Sequence, residues 1–240
     1  MVAAAAERRG LDAESLADRV APDLELDRDG ALHLSFGSRR FVARLTSTFS
    51  VSLFDEAGAP LASLPRAAKS DDAKLAKDAK AALSLLTEGL PGAVREASLR
   101  LERAMVARRR IAAADFRAFI LAHPIQGRLA RALVFLTTDP NALAFRVTED
   151  GTLADVDDRP FALADDAFVV VAHVVDLGGE ALRLVGALRR LPHCSAVRAA
   201  RAHLPRLDEI TARGVTLADV CRRRRSAGAF LGTLIDGSAG

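Results

Sequence analysis

The chain has 240 residues, half of them hydrophobic and 27% charged, with a formal net charge of +3. A chain of this length and apolar content can bury a substantial core, which excludes wholesale disorder. Its two cysteines, Cys194 and Cys221, lack C-x-x-C spacing and are typical of free thiols in a reducing compartment. Charges interrupt the first ten residues, which argues against a signal peptide. No window reaches the roughly 20 apolar residues of a membrane helix. We therefore expect a cytoplasmic protein with no membrane partner.

The first 66 residues predict a short helix followed by an antiparallel meander. Apolar Leu11, Leu16 and Val20 have near-helical spacing, and the Ala21-Pro22 pair ends the pattern. Alternating apolar residues separated by glycine-containing turns then predict four or five strands. Because such alternation implies one buried face, another layer must cover it.

Residues 67–137 predict that covering layer, which consists of helices. An apolar stripe with helical spacing runs over residues 71–86, and Ser70, Asp71 and Asp72 are suited to start this helix. The Gly89-Leu90-Pro91-Gly92 segment predicts a break before a second helix over residues 93–110, which suggests a helical hairpin. Further helices are expected over residues 113–122 and 125–136.

Residues 138–240 predict a mixed C-terminal portion. A hairpin around Gly151, a buried strand over residues 167–175 and an amphipathic helix over residues 181–191 are the recognisable elements. We therefore predict an α+β fold in which a small antiparallel β-meander packs on a helical layer and a mixed α/β portion follows. The three segments are expected to form one composite domain.

The order of short motifs between about residues 24 and 191 carries a family resemblance. The motifs are Phe36-Gly37, Arg39-Arg40-Phe41, Leu64-Pro65, Lys69, Asp71-Asp72, Arg100-Leu101-Glu102, Ala104-Met105, Arg109-Arg110, His123-Pro124, Leu129-Ala130-Arg131, Leu133-Val134, Phe145-Arg146, Gly151-Thr152-Leu153, Asp155 and Ala172-His173. Together they resemble the C-terminal domain of unknown function in bacterial WGR-domain proteins, the group that includes the molybdate-metabolism regulator. The family pattern usually has tryptophan where this chain has Ile111 and Phe135, and the WGR module itself is absent. The resemblance implies a regulatory module whose chemistry is unassigned.

One set of polar residues could form an anion-binding or acid/base site if the fold brought its members together. The set is Lys69, Asp71, Asp72, Arg103, His123, Arg146 and His173. Each side chain also has a structural interpretation. The aspartates suit a helix start, and His123-Pro124 suits the end of a helix. For Arg146 the simpler role is an ion pair with Asp155 or Asp157 across neighbouring strands.

Two arginine-rich segments could instead contact nucleic acid. Residues 99–131 hold eight arginines against two acidic residues, and residues 181–225 hold eleven against three. Clustered arginine can mark a phosphate-binding surface. The candidates are Arg108, Arg109, Arg110, Arg222, Arg223, Arg224 and Arg225. Because the chain contains neither tryptophan nor tyrosine, any stacking platform must use phenylalanine, histidine or arginine.

Motifs for known catalytic or cofactor chemistry are missing from the sequence. His193, Cys194, His203 and Cys221 are ligand types for zinc, but their spacing matches no usual finger or ribbon. Phosphate-binding loops, dinucleotide fingerprints and nucleophile elbows are also absent. We therefore predict no cofactor, no metal site and no catalytic residue. The preferred function is a non-catalytic interaction or regulatory module of a bacterial cytoplasmic protein, with a protein partner or a companion domain. The alternatives are an enzyme or anionic-ligand-binding domain and a nucleic-acid-binding domain.

Overall fold

A computed structural model describes residues 12–138 and 142–173 of the chain. The backbone divides into two compact units, and the predicted α+β class is confirmed. Of the described residues, the first unit contains those up to Ala97 together with Ala118–Arg128. The second unit contains Ser98–Arg117 and the described residues from Leu129 onward.

The first unit begins with the predicted short helix and continues into the predicted meander. Helix α1 spans Ala13–Arg19 and begins at Asp12, whose carboxylate accepts hydrogen bonds from the backbone N–H groups of Glu14 and Ser15. Four strands follow: β1 (Ala31–Ser35), β2 (Arg40–Leu45), β3 (Val51–Asp55) and β4 (Pro60–Leu61). They pair antiparallel in chain order.

The two faces of this first sheet differ in burial. Side chains of one face are removed from solvent, which confirms the predicted buried side; on β1 and β2 they are Leu32, Leu34, Phe41, Ala43 and Leu45. The register places Val42 opposite both His33 and Phe54 on the other face. That second face remains open to solvent among the described residues, with His33, Arg40 and Arg44 exposed.

Helix α2 spans Ala73–Val106 without interruption, so the predicted break at residues 89–92 and the predicted hairpin are wrong. Pro91 lies inside the helix with its ring exposed. Proline removes one backbone hydrogen bond, but the buried stripe of Leu86, Leu90 and Val94 continues past it. Burial of this stripe outweighs the local preference of the Gly-Leu-Pro-Gly segment.

The chain between α2 and the end of β6 contains two strands and three short helical segments. These are β5 (Ile111–Ala112), α3 (Ala113–Asp115), a π-helix (Phe116–Leu121), α4 (Pro124–Ala130) and β6 (Val134–Thr137). The predicted helix over residues 125–136 is therefore wrong in its second half. Residues 134–137 are all buried and lie in a sheet, and a short apolar run of this kind has no periodicity that separates strand from helix.

The second unit is built on a five-stranded antiparallel sheet. It is completed by β7 (Ala144–Val147), β8 (Leu153–Asp155) and β9 (Phe168–Val171), and its strand order is β5-β9-β6-β7-β8. The predicted hairpin around Gly151 and the strand β9 are confirmed. Phe116, Phe135, Phe145 and Phe161 form an aromatic core, with neighbouring ring centroids 4.7–6.0 Å apart.

Candidate functional site

Asp71 is held by a dense set of intramolecular hydrogen bonds in the first unit. Its carboxylate accepts from Arg39 Nη2 at 2.5 Å, Arg39 Nε at 3.1 Å and Ser38 Oγ at 2.9 Å. The backbone N–H of Ala68 donates to it at 2.6 Å. The Asp71 side chain has no exposed surface. The bonds from Arg39, followed by that from Ala68, hold the pKa of Asp71 well below its usual range.

Through Arg39, Asp71 links parts of the chain that are distant in sequence. The Nη2 of Arg39 also donates to the carbonyl of Arg66 at 3.0 Å. The guanidinium carbon lies 5.5 Å from the ring centroid of Phe36 and 5.6 Å from that of Phe41. The turn between β1 and β2 is thereby joined to the segment that precedes α2, which gives Asp71 a clear structural role.

Asp72 caps α2, as its position in the sequence predicted. Its Oδ1 accepts from the backbone N–H of Lys74 at 2.8 Å and of Leu75 at 3.0 Å. Its own N–H donates to the carbonyl of Phe36 at 2.9 Å. Lys69, in the segment between β4 and α2, has an exposed side chain.

His123 lies between two helical segments: the π-helix ends at Leu121, close to the predicted helix end at His123-Pro124, and α4 begins at Pro124. The Nδ1 of His123 accepts hydrogen bonds from the backbone N–H groups of Ile125 at 3.1 Å and Gln126 at 3.2 Å, at the start of α4. Nδ1 must therefore be unprotonated, and the proton lies on Nε2, which is 3.3 Å from the carbonyl oxygen of Ala21. This tautomer joins the segment after α1 to the start of α4.

Arg146 forms an ion pair, but its partner is Asp158 rather than the predicted Asp155 or Asp157. The Nε and Nη2 atoms donate to Asp158 Oδ1 at 3.1 and 2.7 Å, and the arginine side chain is 12% exposed. Asp155 instead accepts two backbone N–H bonds within the loop after β8. Asp157 pairs with Arg159 at 3.0 Å. Pairing depends on how the loop folds, which strand alternation alone does not specify.

The remaining members of the predicted polar set lie in the second unit. Arg103 is exposed on α2, and His173 is half-buried directly after β9. Lys69, Asp71, Asp72 and His123 belong to the first unit. A ligand-binding role for this set stays a prediction.

The basic run Arg108–Arg110 lies in the turn between α2 and β5. Arg108 adopts a left-handed backbone with φ of 48°, and Arg109 donates its N–H to the carbonyl of Ala104 at 2.9 Å. The Arg110 guanidinium lies 4.3 Å from the ring centroid of Phe168, a contact that sequence reasoning missed. Phe168 lies opposite Ala112 in the sheet, so Arg110 is its diagonal neighbour. The other candidate arginines, Arg222 to Arg225, fall outside the described residues.

An open groove of about 790 Å³ crosses the solvent-facing side of the first sheet. Val42 and Phe54 lie at its centre, and Arg40 and Arg44 flank Val42 along β2. The other lining residues are His33, Leu34, Ser35, Phe41, Asp55, Glu56 and Gly58. The sequence predicted the buried face of the meander but no site on this face, although the alternation of Arg40, Val42 and Arg44 marks it.

Metal-ligand clusters and membrane-spanning helices are two further features that the sequence could contain within residues 12–138 and 142–173. No group of three or more histidine, cysteine or carboxylate side chains there could hold a metal ion. The histidine and cysteine set at His193, Cys194, His203 and Cys221 lies outside these ranges. Over the same part of the chain, no helix combines the length and apolar character needed to cross a bilayer.

The fold and the candidate sites define an α+β protein with two antiparallel sheets and structurally engaged polar residues. Residues 58–188, more than half of the chain, match the family described as "Domain of unknown function (DUF4132)", and the chain belongs to that family. It is also similar to "Uncharacterized protein YehI" of Escherichia coli (strain K12), with 34% identity over 180 residues, or 73% of the chain. The chain spans only 15% of the length of that relative. No solved structure matches the chain.

Proposed function

We propose that this chain is a non-catalytic interaction or regulatory module of a bacterial cytoplasmic protein, of the kind associated with WGR-domain proteins and molybdate-metabolism regulators. The module binds a protein partner or a companion domain. The observation that carries this proposal is the open groove on the first sheet. Its apolar centre is fully formed by regular strands and needs no rearrangement to receive another surface.

The arrangement of charge specifies the chemistry of the partner surface. Arg40 and Arg44 project on either side of Val42 from the same strand, and both are exposed. Of the two acidic lining residues, Asp55 is already engaged, because its carboxylate accepts the N–H of Ala59 at 2.8 Å in the turn after β3. An apolar side chain between carboxylates would complement Val42, Phe54 and the two arginines.

The size of the relative is consistent with this role. In the E. coli protein the matching region makes up about 15% of a much longer chain, whose other parts could supply a companion surface. The dominant contacts of the conspicuous polar residues support the same proposal. Asp71 and Arg146 hold separate segments of the chain together, and Asp72 and His123 accept backbone N–H groups at the starts of helices, which are structural uses of these side chains.

Site-specific photo-crosslinking tests the proposal in the producing bacterium. A benzophenone amino acid at position 54 should give a discrete protein adduct, and the same probe at Leu85, an exposed position on α2, is the matched control. The adduct should disappear when Val42→Asp is added. The captured protein, once identified by mass spectrometry and purified, should bind the unlabelled chain in solution. Equal adducts from positions 54 and 85, or none from position 54, would contradict the proposal.

A further inference from the structure

The second unit carries an arginine–phenylalanine pair whose ring is exposed, unlike the rings in the other aromatic contacts of the described residues. Phe168 is 39% exposed, whereas Val169 and Val171, its neighbours on β9, are 0% and 1% exposed. Among the ten phenylalanines within the described ranges, Phe168 alone is classed as exposed. An exposed aromatic ring offers a face on which a planar group can stack.

The guanidinium of Arg110 is held in place by this ring. Its central carbon lies 4.3 Å from the Phe168 ring centroid, within the range of a cation–π contact. Antiparallel pairing of β5 with β9 places Ile111 opposite Val169 and Ala112 opposite Phe168, which brings Arg110, the residue before β5, next to Phe168. The pair therefore needs little ordering when a ligand binds, which lowers the entropic cost of binding.

Charge and stacking together indicate the class of ligand. Arg108 is exposed two residues before Arg110, and arginine donors bind phosphate oxygens in a forked geometry. A planar guanidinium on an aromatic ring can also stack against a nucleobase. Duplex bases would not present their faces to such a shallow site, whereas unpaired bases do.

We infer that Arg108, Arg110 and Phe168 form a binding site for single-stranded nucleic acid, with a base stacked on the Arg110–Phe168 pair and neighbouring phosphates bound by the arginines. Two aspartates just before Phe168 in the sequence affect how strongly this site attracts an anionic ligand. Asp165 pairs with Arg117 at 2.8 Å, which offsets its charge. Asp166, two residues before Phe168, is exposed and opposes an anionic ligand. The inference is independent of the proposed protein interaction, because the two surfaces share no residue.

Fluorescence anisotropy with labelled 15-nucleotide poly(dT) and poly(U) tests the inference on the full chain. We expect saturable binding whose affinity falls steeply as salt rises. An abasic strand of equal length and charge should bind about tenfold more weakly, since loss of one stacked base costs about 1–3 kcal/mol. Duplex DNA should also bind more weakly than the single strand.

Four substitutions distinguish this site from general attraction of a polyanion. Phe168→Leu should weaken binding about tenfold with an unchanged salt slope, and Arg110→Ala should weaken it and reduce the slope by about 0.7. Asp166→Asn should strengthen binding. Arg95→Ala, which removes an equal charge from an exposed position on α2 outside both surfaces, is the control and should have little effect. Circular dichroism and the unfolding midpoint check that each variant is folded.

The inference is overturned if single strands do not bind, if the abasic strand binds as tightly as poly(dT), or if Arg95→Ala and Arg110→Ala weaken binding equally. It is also overturned if folded Phe168→Leu binds like the parent chain. Binding of poly-glutamate with the same affinity as poly(dT) would indicate recognition of negative charge alone.

Discussion

The two sheets differ in how far apart their paired strands lie in the sequence. In the first sheet each strand pairs with the next one along the chain, and residues 31–61 contain all four strands. In the second sheet β9 lies between β5 and β6, so residues 111 and 169 become neighbours. Local pairing can be followed from turn to turn, whereas the insertion of β9 depends on packing between distant segments.

Removal of a ring from the aromatic core should have the largest effect on the second sheet. Phe145 is fully buried and its ring contacts those of Phe116, Phe135 and Phe161. We expect Phe145→Ala to lower the free energy of unfolding by about 3–5 kcal/mol, because it leaves a cavity as well as losing burial. Urea unfolding followed by circular dichroism measures this change. Leu143→Ala, at a 54% exposed position, should change stability by less than about 0.5 kcal/mol.

Replacement of Pro91 separates the continuous helix from the predicted hairpin. In a continuous α2, Pro91→Ala restores a backbone N–H that can donate to the carbonyl of Thr87, and we expect a gain of about 1–3 kcal/mol. Gly92→Ala, at a helical position with open space around the added methyl group, should add about 0.5–1 kcal/mol. If residues 89–92 formed a turn, both substitutions would destabilise the protein in the same urea titration.

Loss of the cap on α2 should have a smaller effect. Asp72→Ala removes the acceptor for the N–H groups of Lys74 and Leu75, and should cost about 1 kcal/mol. Asp72→Ser retains an acceptor and should cost only a fraction of that amount. Equal destabilisation by the two substitutions would show that the cap hydrogen bonds are not what Asp72 contributes.

The largest contribution to acid sensitivity in each unit should come from one strongly hydrogen-bonded aspartate. Hydrogen bonds from Thr148 and Thr152 lower the pKa of Asp150 to about 2, and those from Arg39 and Ala68 lower that of Asp71 further. Each folded pKa lies below the unfolded value of 3.8. Their contributions to stability are therefore present above pH 4 and are lost as the pH falls through each folded pKa.

Matched asparagine variants measure this dependence. Asp71→Asn and Asp150→Asn should each flatten the fall in the unfolding midpoint between pH 5 and 2, measured by circular dichroism. Asp166→Asn is the control, because it removes an equal charge from an exposed side chain without removing any hydrogen bond seen within residues 12–138 and 142–173. An acid limb that is identical in all three variants and the parent chain would contradict the assigned hydrogen bonds.

Local sequence signals predicted the parts of the fold that local contacts hold together. The meander, the Asp72 cap and the Gly151 hairpin depend on turns and on neighbouring strands, and all three are confirmed. The break at Pro91 and the second half of the helix over residues 125–136 were wrong. In both places burial against distant parts of the chain decided the backbone conformation, and that information is absent from a short window.

The candidate sites follow the same division. Conspicuous polar residues could be found in the sequence, and the use of Asp72 as a cap was predictable from its position. The partners of Asp71 and Arg146 were not, because Arg39 is 32 residues away and Asp158 lies in an irregular loop. The exposed pair of Arg110 and Phe168 requires the β5–β9 register, which no local pattern contains.

The most direct test of the account compares photo-crosslinking probes at positions 54, 168 and 85 in otherwise identical chains. The probe on the first sheet, at position 54, should capture a discrete protein that Val42→Asp releases. The probe at position 168 should capture single-stranded nucleic acid, and the probe at position 85 should capture neither. A position-54 probe that captures nothing, or the same products as position 85, would contradict the claim that the open face of the first sheet is the interaction surface.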